Sequence, residues 1–69
     1  MIIDWYEVWA DHSTDAPYLL IVAPGTAGTY VVIDPKEGDK RIFVALSYEE
    51  VKLWLLEDEY TRVEGRMIG

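Results

Sequence analysis

The sequence predicts an α+β fold: an antiparallel four- to five-stranded meander in the order β-β-β-β-α-β, with one helix packed on one face. Three observations predict it. Four short apolar segments are separated by clusters of Pro, Gly, Asp and Ser; a single stretch, residues 47–64, carries helix signals; and strand formers follow that helix at 60–63. With 69 residues there is room for one domain and one core.

Ile2 to Ala10 is the first strand. Ile3, Trp5, Glu7 and Trp9 point to one side and Asp4, Tyr6, Val8 and Ala10 to the other, so both sides carry aromatic or aliphatic groups. This strand takes a central position if the final strand joins the sheet. Asp11 to Pro17, DHSTDAP, reads as a polar loop in which Asp and Ser side chains bond nearby backbone. Its Asp11, Ser13, Asp15 spacing is that of the start of an EF-hand loop, but Ala16 and Val22 stand where a calcium loop needs glycine and an acid. His12, the one histidine, lies between Asp11 and Ser13, and three consecutive residues point in divergent directions, which excludes a triad among them.

Tyr18 to Ala23 is a continuous apolar run of strand length, bounded by Pro17 and Pro24. Residues 24–28, PGTAG, lack the lysine and spacing of a phosphate-binding loop and read as a hairpin connection to the strand Thr29 to Asp34. Pro35 to Asp39 is a second turn, with Pro35 presetting φ and Gly38 supplying a positive φ. Lys40 to Leu46 is the fourth strand, with Ile42, Val44 and Leu46 expected on one side and Arg41, Phe43 and Ala45 on the other.

Ser47 followed by Glu50 forms a capping box that starts a helix at Tyr48, and Glu49 and Glu50 suit the positive end of its dipole. At helical spacing Tyr48, Val51, Trp54 and Leu55 gather on the face sent to the core. Leu53 points almost opposite Val51, and Leu56 lies on the margin of the stripe. Glu57, Asp58 and Glu59 place like charges at the end of the helix where the dipole prefers cations. Tyr60 to Val63 is a short last strand, Gly65 ends it, and 65–69 carry no structural signal.

There is no cysteine, so neither a disulfide framework nor a thiolate metal site supports the core. The longest apolar run, Tyr18 to Pro24, is far shorter than the roughly 20 residues that span a bilayer. The first residues reach Asp4 without a basic segment of signal-peptide type. A cytoplasmic protein is the expectation. A net charge of −7 opposes direct binding to nucleic acid, and with so short an apolar run no membrane partner is expected. The charge is also uneven, since all Lys and Arg fall between Lys36 and Arg66.

One helix covers one side of a sheet, yet the first two strands are apolar on both. Either the sheet curls into a small, partly open barrel or its second side is a binding surface rich in Trp and Tyr. The leading expectation is a non-catalytic interaction module that binds another protein, such as a basic one, or itself as a homodimer. Its contact residues are expected to be Trp5, Trp9, Tyr30, Leu53, Glu57, Asp58 and Glu59, with no cofactor, metal or catalytic residue. A homodimeric structural domain is the alternative. A hydrolase running on paired carboxylates is the least favoured, because no pair is singled out and a chain this short has little scaffold for a pocket.

Overall fold

The computed structural model describes residues 5–13 and 15–63, together with the backbone of 67–68. Its strands are β1 (Trp5–Asp11), β2 (Tyr18–Pro24), β3 (Tyr30–Asp34), β4 (Lys40–Ala45), β5 (Thr61–Arg62) and β6 (Met67–Ile68). They form one antiparallel sheet in the order β4-β3-β2-β1-β5, with β6 also pairing β1. The helix α1 (Tyr48–Glu57) packs on one face, which makes this the expected α+β meander. β1 lies between β2 and β5, the central position its double-sided apolar pattern anticipates. The expected start of β1 at Ile2 lies outside the described residues, as do Glu64 and Gly65.

Local chemistry accounts for the connections. In the β2–β3 hairpin, Ala27 and Gly28 both take positive φ (55° and 75°), the pair of conformations that primed hairpin turns require. Gly25 approaches the return strand so closely that a Cβ would lie 2.5 Å from Thr29 Oγ1 and 3.0 Å from Val31 Cγ1. Pro35–Glu37 form a single 3-10 turn, capped by the Asp34 carboxylate at the start and by Gly38 at φ 72° at the end.

Ser47 caps α1, its hydroxyl accepting from the Glu50 amide at 3.2 Å. The helix ends with Tyr60 N–H donating to Leu55 O and Glu59 N–H to Leu56 O, while Glu59 sits at φ 64°. That is a Schellman closure with glutamate where glycine is usual.

Two expectations need correction. Residues 67–68, which carry no structural signal in the sequence, pair with Trp5 and Tyr6. The alternation along β4 is also broken. Val32 lies opposite Phe43 and the next residue, Ile33, lies opposite Arg41, so Ile42 is an extra residue in a bulge. Arg41 is thereby registered with Ile33, on the side away from Phe43.

The core lies between α1 and one side of the sheet. Val51 and Leu55 from the helix meet Trp9, Leu20, Val22, Val32 and Ala45, and each fully buried aliphatic side chain contributes about 1.5–3 kcal/mol. Trp54 stacks on Phe43 with centroids 4.5 Å apart and planes within 7°, which holds the helix over the β4 edge. The expected core stripe of Tyr48, Val51, Trp54 and Leu55 is the one that faces inward.

Candidate functional site

Two surfaces stand out, one on each side of the sheet. The first begins at Glu7. Alternation along β1 directs Glu7 to the same side as Trp5 and Trp9, under the helix layer, and its exposure is 0%. A carboxylate withdrawn from water needs donors, and its own strand and two distant segments supply them. Trp9 Nε1 donates to Oε1 at 3.2 Å, Tyr48 Oη donates to Oε1 at 2.7 Å, and Arg62 Nη1 donates to Oε2 at 3.4 Å. The backbone of Arg62 is opposite Trp9, so its side chain runs back along β1 to reach residue 7. Arg62 is held more firmly protonated by its hydrogen bond to Tyr48 and by the charge of Glu7. Burial, followed by the bond to Glu7, raises the Tyr48 phenol above its ordinary range.

This network floors a groove. Tyr48, Lys52 and Leu56 recur every four residues on one flank of α1 and form one wall, while the cross-strand pair Trp9 and Arg62 forms the other. The groove's volume is about 280 Å³.

The second surface is the opposite side of the sheet. By register and alternation it carries Val8, Ile21, Ile33 and Arg41 in one row, Ala23, Val31 and Val44 in a second, and Leu19, Ala10 and Thr61 in a third. Val63 N–H bonds to Val8 O and extends this surface beyond β5. Leu19, Val44 and Val63 are 45%, 55% and 41% exposed. None of the side chains in these rows is a carboxylate, and Arg41 is the one charge.

The residues expected to form one contact surface are placed apart. Trp9 is buried, and Trp5 and Tyr30 are half-buried against the core on the helix side, with ring centroids 6.2 Å apart. Tyr30 in turn meets Tyr48 edge-on at 6.1 Å. The aromatic side of the sheet is therefore the side that α1 covers, because large rings fill the widest part of the layer gap. The uncovered side is mainly aliphatic, with Tyr6 on it by alternation along β1. Leu53 is 59% exposed on the outer flank of α1, and Glu57, Asp58 and Glu59 are exposed at its C-terminal end.

Glu7, Tyr48, Lys52 and Arg62 were not singled out by sequence reasoning. The available signal was a lone acid inside the apolar alternation of β1, on the side of both its tryptophans. At the other end of the sheet, Tyr18 Oη donates to Asp34 Oδ2 at 2.5 Å, and Lys36 Nζ lies 5.3 Å from the centre of the Tyr18 ring. The hydrogen bond to Asp34 is the main reason the Tyr18 phenol is pushed up to about 12.

The Asp11 to Pro17 loop behaves as turn chemistry implies. Ser13 N–H donates to Asp11 Oδ1 at 2.9 Å, and this bond holds the Asp11 carboxyl below its usual range. His12 is exposed. Among the described residues no group of three His, Cys, Asp or Glu side chains is arranged to hold a metal ion, and no helix is long and apolar enough to cross a membrane. Compared with protein-family models, curated proteins and solved structures, the chain matches none.

Proposed function

We propose that this chain is a non-catalytic protein-interaction module whose contact surface is the sheet side opposite α1, and that its partner there is a second copy of the chain. The observation that carries the reading is the inversion of ordinary burial. A glutamate lies at 0% exposure under the helix, while leucine and valine side chains stand in water on the other side of the same strands. The exposed Leu19, Val44 and Val63 and the half-buried Val8, Ile21 and Ile33 lie around Ala10, Ala23 and Val31, which are buried, and exposed apolar groups gathered on one side of a sheet support a contact site.

Charge and area favour self-association over capture of a basic protein. The chain carries −7, so two copies repel wherever carboxylates meet. The aliphatic rows carry none, which leaves this side as the least repulsive approach. A basic partner would instead be drawn to Glu57, Asp58 and Glu59 at the helix end. Five strands spaced by ~4.8 Å and about five residues long present a footprint of roughly 400 Å² per copy. Two such faces fall below the ~1,200 Å² of standard stable interfaces and suit a reversible dimer packed sheet on sheet. A cytoplasmic setting belongs to the same proposal, and a chain without cysteine is compatible with a reducing compartment.

Sedimentation equilibrium tests the reading. The mass average is expected to rise from one chain toward two between ~10 µM and ~1 mM, and to rise further with added salt as repulsion is screened. A single-chain mass throughout that range overturns it.

A further inference from the structure

We propose that the groove between α1 and the β1–β5 pair is a binding site for a small monocarboxylic acid with an apolar body, such as an aryl-acetic or branched aliphatic acid. The juxtaposition of Arg62 and Lys52 with Trp9, Tyr48 and Leu56 around one concavity carries it.

The polar lining is built to receive a carboxylate. Arg62 gives Nη1 to Glu7 and also bonds Tyr48, which fixes the guanidinium, and its side chain remains 48% exposed. A guanidinium so anchored presents its remaining N–H groups to a planar carboxylate. Glu7 does not compete for that role as an acceptor facing the groove, because both its oxygens already accept bonds and its surface is fully covered. Lys52, one helical turn beyond Tyr48, adds a second cation on the helix wall. In a chain of net charge −7, two of the five described Lys and Arg side chains line this one groove.

The remaining lining selects the rest of the ligand. Tyr48 and Leu56 offer ring and aliphatic surface above the buried Trp9, so the body is apolar. A volume of about 280 Å³ suits a small ligand. The acidity of the whole chain opposes anions of higher charge more strongly than a single negative charge, which favours a monocarboxylate over a phosphate ester. The groove is on the opposite side of the sheet from the aliphatic rows, so this site stands independently of self-association.

Titration of the full chain with phenylacetate, followed by amide and indole N–H chemical shifts, tests the site, with phenylacetamide as the uncharged control. Phenylacetate is expected to bind with a Kd of roughly 1 mM and the amide at least ~10-fold more weakly. The shifts should map to Trp9, Tyr48, Lys52, Leu56 and Arg62. Lys52→Gln, at an exposed position that the fold does not rely on, should weaken the acid about threefold to tenfold and leave the amide unchanged. Arg62→Lys, which keeps the charge and loses the guanidinium, should weaken it at least as much. Equal affinity for acid and amide, no change with Lys52→Gln, shifts that map elsewhere, or no binding at ~20 mM acid would each overturn the proposal.

Discussion

The two sides of this sheet are made by alternate residues of the same strands, and they have opposite fates. Trp9, Leu20, Val22 and Val32 face α1 and are buried, whereas their neighbours Val8, Leu19, Ile21 and Ile33 face away and stay partly or largely exposed. Strand propensity does not distinguish the two sets. What separates them is the narrow apolar stripe of a single helix, which can satisfy one side only. The covered side even accommodates a carboxylate, because Trp9, Tyr48 and Arg62 bring three donors to Glu7. On the aliphatic side Ala10, Ala23 and Val31 are buried among their neighbours, whereas Leu19, Val44 and Val63 are left to meet water or another surface.

The contrast breaks most severely on the covered side. Leu55→Ala removes a fully buried helix residue and should cost about 2–5 kcal/mol. A domain of this size has a total stability of only about 3–10 kcal/mol at ~0.05–0.15 per residue, so urea unfolding should show a large fall in midpoint. On the aliphatic side Val44→Ala should change the monomer's unfolding free energy by less than about 0.5 kcal/mol. Equal losses at the two positions would erase the distinction between the sides.

Removing the partner of the buried carboxylate comes next. Arg62→Gln leaves Glu7 with two neutral donors, and a buried pair broken from one end typically costs 3–5 kcal/mol. Because the Arg62 side chain is 48% exposed, solvent already screens the pair, and denaturant titration is expected to show a smaller fall in midpoint than for Leu55→Ala. A smaller effect of opposite sign tests the end of the helix layer. Glu59 holds φ 64° among three carboxylates at the negative end of the dipole, so Glu59→Gly should stabilise the fold by about 0.5–1 kcal/mol.

The Tyr18 to Asp34 bond provides a pH signature. The folded-state pKa of Tyr18, about 12, is above its ordinary value of 10.0. The protonated phenol is therefore bound more tightly in the folded chain. Its contribution to stability is complete below pH 10.0 and is lost as pH rises through about 12. In a spectrophotometric titration of phenolate absorbance, Tyr18→Phe should remove a component near that upper value. A titration curve unchanged by the substitution would dismiss the bond as the cause.

Much of this architecture was legible because its determinants are local. The Ser47 to Glu50 spacing marks the helix start, Pro35 and Gly38 mark a turn, and the double-sided pattern of β1 marks a central strand. The parts that were not legible depend on long-range partners. Alternation shows that Trp5, Glu7 and Trp9 share a side, but only the docked helix decides that this side is inside. Glu7 becomes tolerable in the core through Tyr48 and Arg62, 41 and 55 residues away, and no local spacing announces that meeting. The bulge at Ile42 and the pairing of residues 67–68 likewise follow from the strand alongside. Aromatic content suggested a contact surface of Trp5, Trp9 and Tyr30; the same rings are what the helix needed to pack against.

The most direct test of the central claim compares one charge placed on each layer. Light scattering at ~1 mM chain should give a mass approaching two copies for the native protein and for Leu53→Lys, whose site lies on the outer flank of the helix. Val44→Lys, on the edge strand β4 at the end of the second aliphatic row, should give the mass of one. A native protein that remains a single chain, or a Val44→Lys variant that pairs as readily as Leu53→Lys, would contradict the assignment of the uncovered sheet side as the contact surface.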